Sequence, residues 1–413
     1  MLEWCRASGL APGKWLVGKG GGMGVLKEID GWGVACHGGG MKNMTLVALM
    51  TTIAVAGAAE HRIYVGTYTA KGSKTEGVGL LTFDDVSGVL KSGGTAAVSD
   101  NPSFVAVSSD GKFVYAVNEG PSAATAFAVD GATGKLKQLS QVPVGEKGAQ
   151  GPCHLCLVEA EGILVTANYG GGSVSTFAVG EDGGLESRTG FIQHVGGGPD
   201  KGRQESPHAH GAVLASDGKH VLVNDLGTDR VYIYAVDSFG KKLAEKPIGE
   251  GVINPGAGPR HGAFSPDGKV FYCLNEMACT VTPMAWDGEA KTLTAGKPVR
   301  TLEGEHQGNS TAEIAVHPGG KWVFASNRGH DSIAVFAAEG GAVTLKGTVP
   351  CGGKVPRSFT LSPDGKWLLA AHQESNSVQV FSFDAASGEL KAKGEPVKTS
   401  CGKPVSLVFA PKK

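Results

Sequence analysis

Short apolar runs alternate with compact polar turns along most of this chain, and they recur with a period. Gly258 to Glu276 displays one unit clearly. Arg260 and His261 open it, a short apolar run follows, Ser265-Pro266-Asp267-Gly268 makes a turn, and a second apolar run covers Val270 to Leu274 before Asn275 and Glu276. This pattern predicts two strands joined by a tight hairpin. Asp-Gly supplies the positive φ that such a turn needs, and Pro266 fixes the backbone just ahead of it. The polar ends of the two strands then lie side by side.

Counting on the turn glycine, the unit returns at Gly111, Gly162, Gly218, Gly268, Gly320 and Gly365, at spacings of 51, 56, 50, 52 and 45 residues. A period in this range, built of β-type runs with no helical stretch, predicts a propeller of four-stranded blades. Ser173–Val179, Arg230–Val236 and Ser377–Phe383 alternate small or polar with apolar residues, as third strands should. Six units are complete. At the chain ends, Lys403 to Phe409 reads as a first strand with nothing after it, and His61 to Thr67 as a second strand with nothing before it. The two predict one shared blade that closes the ring and leaves no open edge. The expected fold is therefore all-β: a single seven-bladed β-propeller over 61–413, closed by a blade shared between the N- and C-terminal strands.

Composition agrees with that class. Gly and Pro together number 85 of 413 residues, which suits a turn-dense protein. A net charge of −1 argues against nucleic acid as the main partner, and no apolar run approaches the roughly 20 residues of a membrane span. Residues 1–40 show no strand alternation. Met41 to Ala59 has one positive charge, an apolar core and an Ala56-Gly57-Ala58 cleavage signal, the form of an export signal. Translation is accordingly expected to start at Met41, with 1–40 upstream of the true start, or else a leader. Localisation is then periplasmic or secreted, or cytoplasmic if the signal is unused.

Eight cysteines fall to six after Ala59. Cys153 and Cys156, three apart on a strand, face opposite sides and read as packing residues. Cys273 with Cys279, and Cys351 with Cys401, are placed where bridges could form in an oxidising compartment.

The period also locates candidate chemistry. Eight residues before each turn glycine stand Ser103, His154, His210, Arg260, Ala312 and Arg357. Seven after it stand Asn118, Tyr169, Asp225, Asn275, Asn327 and His372, and eight after it Glu119, Gly170, Leu226, Glu276, Arg328 and Gln373. In a propeller these positions crowd one mouth of the central channel. Burying so many polar groups is costly unless they serve a ligand, and the cations suit an anionic or oxygen-rich one. His208 and His210, two apart, share a face. Glu313 stands one step off the cation register and is expected to face away. There is no G-x-S-x-G elbow, H-E-x-x-H or P-loop, and His154, His208 and His210 lack a standard metal-ligand spacing. No metal and no organic cofactor is expected.

Several pieces resemble the seven-bladed lactonases of the propeller-type 6-phosphogluconolactonase family, relatives of 3-carboxy-cis,cis-muconate lactonizing enzymes. They are Tyr64 to Thr69, Pro152 to His154, Ala167 to Ser173, Arg203 to His210, Asp225 to Asp229, Gly258 to His261, Asn275-Glu276, Ala312 to Ile314 and Ser326 to Ile333. The resemblance implies a lactone-opening hydrolase whose catalytic groups fall on His208 or His210, Arg260, Glu276 and Arg328. Glu276 or one histidine of the pair would be general base, and the arginines would hold the oxyanion or an anionic substituent. His154, Arg203, His261, Asn275, Glu313 and His330 are the expected substrate-binding groups. The expected partner is a small lactone and the expected state a monomer. Two other readings stand beside it: a non-catalytic exported propeller that binds a partner or glycan, and a muconate-type cycloisomerase.

Overall fold

The computed structural model describes residues 60–146, 150–304 and 306–412. The expected leader and export signal lie outside the described residues. Seven antiparallel sheets follow one another along the chain. Blades 1 to 6 cover 102–143, 152–193, 209–252, 259–300, 310–350 and 356–398. Blade 7 takes its three outer strands from 60–98 and its innermost strand from Lys403–Phe409. The outermost strands of blades 3 and 4 are each broken in two. First strands of successive blades touch all the way round the ring, so they line its centre.

Local sequence explains each blade. Its second strand is packed on both faces, so it reads as a continuous apolar run rather than an alternation. Ile163–Asn168 and His220–Asp225 are buried at every position. The outermost strand has one wet face, as in the largely exposed Leu136–Pro143. Seven apolar clusters result, and each lies between two neighbouring blades. The core is thus a wheel of interfaces and not one central mass.

The repeated turn is wider than a two-residue hairpin. The last ladder pair is Phe264↔Phe271, and within the turn Ser265 Oγ accepts from Val270 N at 3.0 Å while Gly268 sits at φ 69°. In blades 5 and 6 the residue after the turn lysine is Trp322 or Trp367, and each indole reaches the next blade. Trp322 Nε1 donates to Ala385 O (2.9 Å) and Trp367 Nε1 to Asp85 O (2.8 Å). Gly388 is required beneath Trp322, because a Cβ there would lie 2.1 Å from the ring.

Closure is antiparallel. Ile63, Tyr64, Val65 and Gly66 pair with Phe409, Val408, Leu407 and Ser406. Without Lys403–Phe409, the strand Glu60–Tyr68 would be a bare edge facing the channel. Leu407 is 7% exposed and packs in the cluster between blades 6 and 7. Leu407→Ala should lower stability by about 2–5 kcal/mol, read as a reduced midpoint in urea unfolding with unchanged m-value.

Candidate functional site

A small irregularity shared by all blades creates the site. In every first strand the register slips by one residue near its start, for example between Pro259 and His261. Such a bulge re-aims side chains. Adjacent residues, which would alternate in a regular strand, both turn into the channel. The bulge residues are Ser103, Cys153, His210, Arg260, Arg357 and Val405, with Ala312 and Glu313 sharing the place in blade 5.

Two corrections to the sequence register follow. In blade 2 the turn glycine sits one place later within a loop of equal length, since Leu157 pairs with Leu164 as Val107 pairs with Val114. Cys153, not His154, therefore matches Arg260, and Tyr169, not Gly170, matches Glu276. The position before Glu276 also has a different role. Asn118, Asn168, Asp225, Asn275, Asn327 and His372 bond within their own blades and are buried completely. Asn275 Nδ2 donates to Thr280 Oγ1 (2.9 Å) and Thr282 Oγ1 (2.8 Å). Expected as a substrate contact, it instead ties the second strand to the third.

Glu276 is the centre of the cluster that does form. Its Oε1 lies 2.7 Å from Arg203 Nη2. Its Oε2 lies 3.0 Å from Arg260 Nε, 2.9 Å from Arg328 Nη2 and 4.0 Å from His210 Nε2. Arg260 Nη1 also donates to Ala312 O, and Arg328 Nη2 to Thr311 O (2.6 Å). The Nε–H groups of Arg260 and Arg328 are buried without a hydrogen-bond acceptor, so Arg260 meets Glu276 as a charge and not along its N–H. Burial would raise the Glu276 carboxyl, but Arg328 and Arg260 outweigh it and hold it far below the usual carboxylate range. Burial, with Arg328 adding, pulls Arg260 down to about 10.

The loop before blade 3 delivers Arg203. Asp225 anchors it at both ends: its Oδ2 takes His194 Nδ1–H at 2.6 Å, and its Oδ1 takes His208 N–H at 2.8 Å. Gln204 Nε2 donates to Leu226 O and Asp229 Oδ1. His208 stacks on Tyr169 at 4.5 Å, with Nδ1–H donating to the Tyr169 carbonyl at 2.9 Å, and His210 meets the same ring edge-on at 5.2 Å. The pair does lie on one side.

One step deeper, rings from several blades meet. His154 lies 4.0 Å from Phe104 and 4.8 Å from His261, and His261 is 5.9 Å from Phe104. Phe104 and His261 belong to blades 1 and 4, so they meet across the central axis. His261 Nδ1–H donates to Glu313 Oε1 at 2.9 Å, and Glu313 Oε2 accepts from Ser358 Oγ at 3.3 Å. Glu313 thus faces the channel, against the expectation, because the bulge breaks the alternation. Burial lowers His154, His210 and His261 well below 6.5, assisted by Arg260 at each, and raises Glu313. All three histidines are neutral at pH 7.

His330 does not join the cluster. It is exposed, its Nδ1 meets Ser332 Oγ at 2.8 Å, and its ring lies 4.6 Å from His306. Cys153 Sγ lies 3.5 Å from His210 Nδ1, a contact the packing reading did not foresee, whereas Cys156 packs between blades 2 and 3. The six cysteines among the described residues are free thiols, so Cys273–Cys279 and Cys351–Cys401 are not bridged. Among the described residues no group of His, Cys, Asp or Glu is set to hold a metal ion, and no helix is long and apolar enough to cross a membrane.

The family described as "Lactonase, 7-bladed beta-propeller" matches residues 62–409. A 6-phosphogluconolactonase of Bacillus subtilis is 33% identical over 301 residues, 72% of this chain and 83% of the relative. One of Formosa agariphila is 30% identical over 314 residues, covering 72% and 86%. The periplasmic gluconolactonase of Pseudomonas aeruginosa superimposes with a TM-score of 0.75 at 27% identity, covering 86% of this chain and 100% of that one.

The depressed histidines and Glu276 set an acid limit on stability. A histidine kept neutral in the fold takes a proton more readily when unfolded, so stability falls as pH drops below about 6.5. Glu276 adds stability above about 4.5 that is lost as pH falls further, while Glu313 contributes in the opposite sense. Thermal midpoints measured from pH 8 to pH 4 should decline below about 6.5. His210→Gln should flatten the upper part of that decline.

Proposed function

The chain belongs to the seven-bladed β-propeller lactonases and is a lactone hydrolase, and on that premise we propose that it opens an anionic sugar lactone of the 6-phosphogluconolactone type at this channel mouth. The observation that carries the reading is the convergence of Arg203, Arg260 and Arg328 on the single carboxylate of Glu276. Three cations against one anion leave an excess of positive charge, mostly buried, where a phosphate and a developing oxyanion are both stabilised. The names of the Bacillus subtilis and Formosa agariphila relatives support a phosphorylated substrate.

Hydrolysis adds water to the lactone carbonyl and breaks the bond to the ring oxygen. The base must be neutral and basic at working pH. His210 meets that need, because burial and Arg260 keep its imidazole unprotonated. It takes the proton of the attacking water. Arg260 and Arg328 hold the carbonyl oxygen as it becomes an oxyanion. His208, whose Nε2 lies 3.4 Å from Glu205 Oε1, gives a proton to the leaving alkoxide and regains one as His210 releases the proton it took. Glu276 has both carboxylate oxygens engaged by guanidiniums and is not free for this step. It positions the arginines.

This division of roles is separable by kinetics. His210→Gln should reduce kcat by about 100- to 10,000-fold and abolish an acid limb of the rate profile whose midpoint lies below pH 6.5. Glu276→Gln should lower the rate but keep that limb. A Glu276→Gln enzyme without the limb would reverse the assignment. With 6-phosphogluconolactone and gluconolactone compared side by side in a pH-stat assay, Arg203→Ala should cost more on the phosphorylated substrate. An equal loss on both would remove the phosphate from the proposal.

A further inference from the structure

The wall facing Glu276 carries a second polar constellation that the reaction as described does not use. Tyr68 ends the second strand of blade 7, Glu119 follows that of blade 1, and Arg357 is the bulge residue of blade 6. These are the same ring positions that place Glu276 and Arg260, so the three belong to the same mouth. Tyr68 Oη donates to Glu119 Oε1 at 2.8 Å and accepts from Arg357 Nη2 at 3.0 Å. The Arg357 guanidinium also lies 5.3 Å from the centre of the Tyr68 ring.

Three side chains from three blades are thereby locked in a row: carboxylate, phenol, guanidinium. The row is not closed on itself. Glu119 Oε2 has no hydrogen-bond partner among the described residues, and Arg357 has no acceptor other than Tyr68 Oη, yet none of their free polar atoms is sealed from solvent. The row therefore presents a free acceptor at one end and free donors at the other. It is continuous with the catalytic cluster. The Arg357 charge acts on Arg260 and Arg328, and Cys153, in contact with His210, senses both Glu119 and Arg357. Beside Glu119 a groove of about 660 Å³ opens between blades 1 and 2, bordered by Pro121, Gly151 and Gly170.

We propose that Glu119, Tyr68 and Arg357 form a hydroxyl-binding subsite that reads the polyol edge of the substrate and makes the enzyme selective for polyhydroxylated lactones over unsubstituted ones. This rests on the lactone reading above. An alcohol O–H donates and its oxygen accepts, so adjacent hydroxyls fit a fixed carboxylate beside a fixed guanidinium. An unsubstituted lactone would leave both ends of the row desolvated and unpaired, which is the strongest way a polar site rejects an analogue. The anion-binding pole at Arg203, Arg260 and Arg328 and this polyol pole would then bracket the ring.

The test is a selectivity ratio: kcat/KM for gluconolactone divided by kcat/KM for δ-valerolactone. Glu119→Gln and Tyr68→Phe should each reduce the ratio by about 10- to 100-fold, mainly through a higher KM for gluconolactone. A purely structural role would lower both rates together and leave the ratio unchanged, and that result overturns the proposal. Calorimetric titration with D-gluconate provides the second measurement, with folding checked by circular dichroism. Binding to the unmodified enzyme should weaken by a similar factor in Tyr68→Phe, and equal affinity in the two proteins would count against the subsite. If the unmodified enzyme opened no sugar lactone, the functional reading would fail. The D-gluconate titration would still decide whether the row binds hydroxyls.

Discussion

Closure of the ring is the constraint on which everything else rests. A four-stranded blade has an inner edge whose backbone groups need partners or a covered position, and a propeller covers them only if the last blade meets the first. Pairing of Ile63–Gly66 with Ser406–Phe409 does this across nearly the whole length of the chain. Once the ring is shut, the seven first strands have one place to put their inward side chains. The interblade clusters then hold those strands rigidly, so groups from blades 1, 4 and 5 can meet at fixed distances around an axis that no single segment defines.

The site uses this rigidity to concentrate charge that would not otherwise stay buried. Arg260 is 2% exposed, and unpaired it would be expensive to keep there. Glu276 supplies the countercharge, and the incomplete neutralisation leaves room for an anion. Burial, with the same field adding to it, keeps neighbouring histidines neutral. A cationic pocket with unprotonated imidazoles is a consistent chemical environment for hydrolysis: one set of groups binds negative charge while the other accepts protons. Both properties arise from burial near the arginines.

Much of this was legible in the sequence, for an identifiable reason. The turn glycines recur because five of the six loops need a positive φ at the same point. The shared blade was legible because a strand with no partner at each end is conspicuous in a periodic chain. What could not be read came from departures from regular geometry. The loop after Val158 reaches its left-handed residue at Gly162 one step later than the others, through the short turn Glu159–Glu161, and that displaced the count to His154 and Gly170. The bulge set Glu313 and His261 into the channel against the alternation rule. Asn275 and Glu276, adjacent and both polar, gave no sequence signal that one belongs to the blade and the other to the ligand side. Tyr68 and Arg357 come together only through closure, 289 residues apart.

In blades 1, 2 and 4 a residue spent on internal wiring, Asn118, Asn168 or Asn275, is followed directly by one aimed at the mouth: Glu119, Tyr169 or Glu276. The first is part of the chassis and the second is a socket. Sockets on a stiff frame can be refitted one by one without rebuilding the machine, so single side chains there can be exchanged while the architecture stays still.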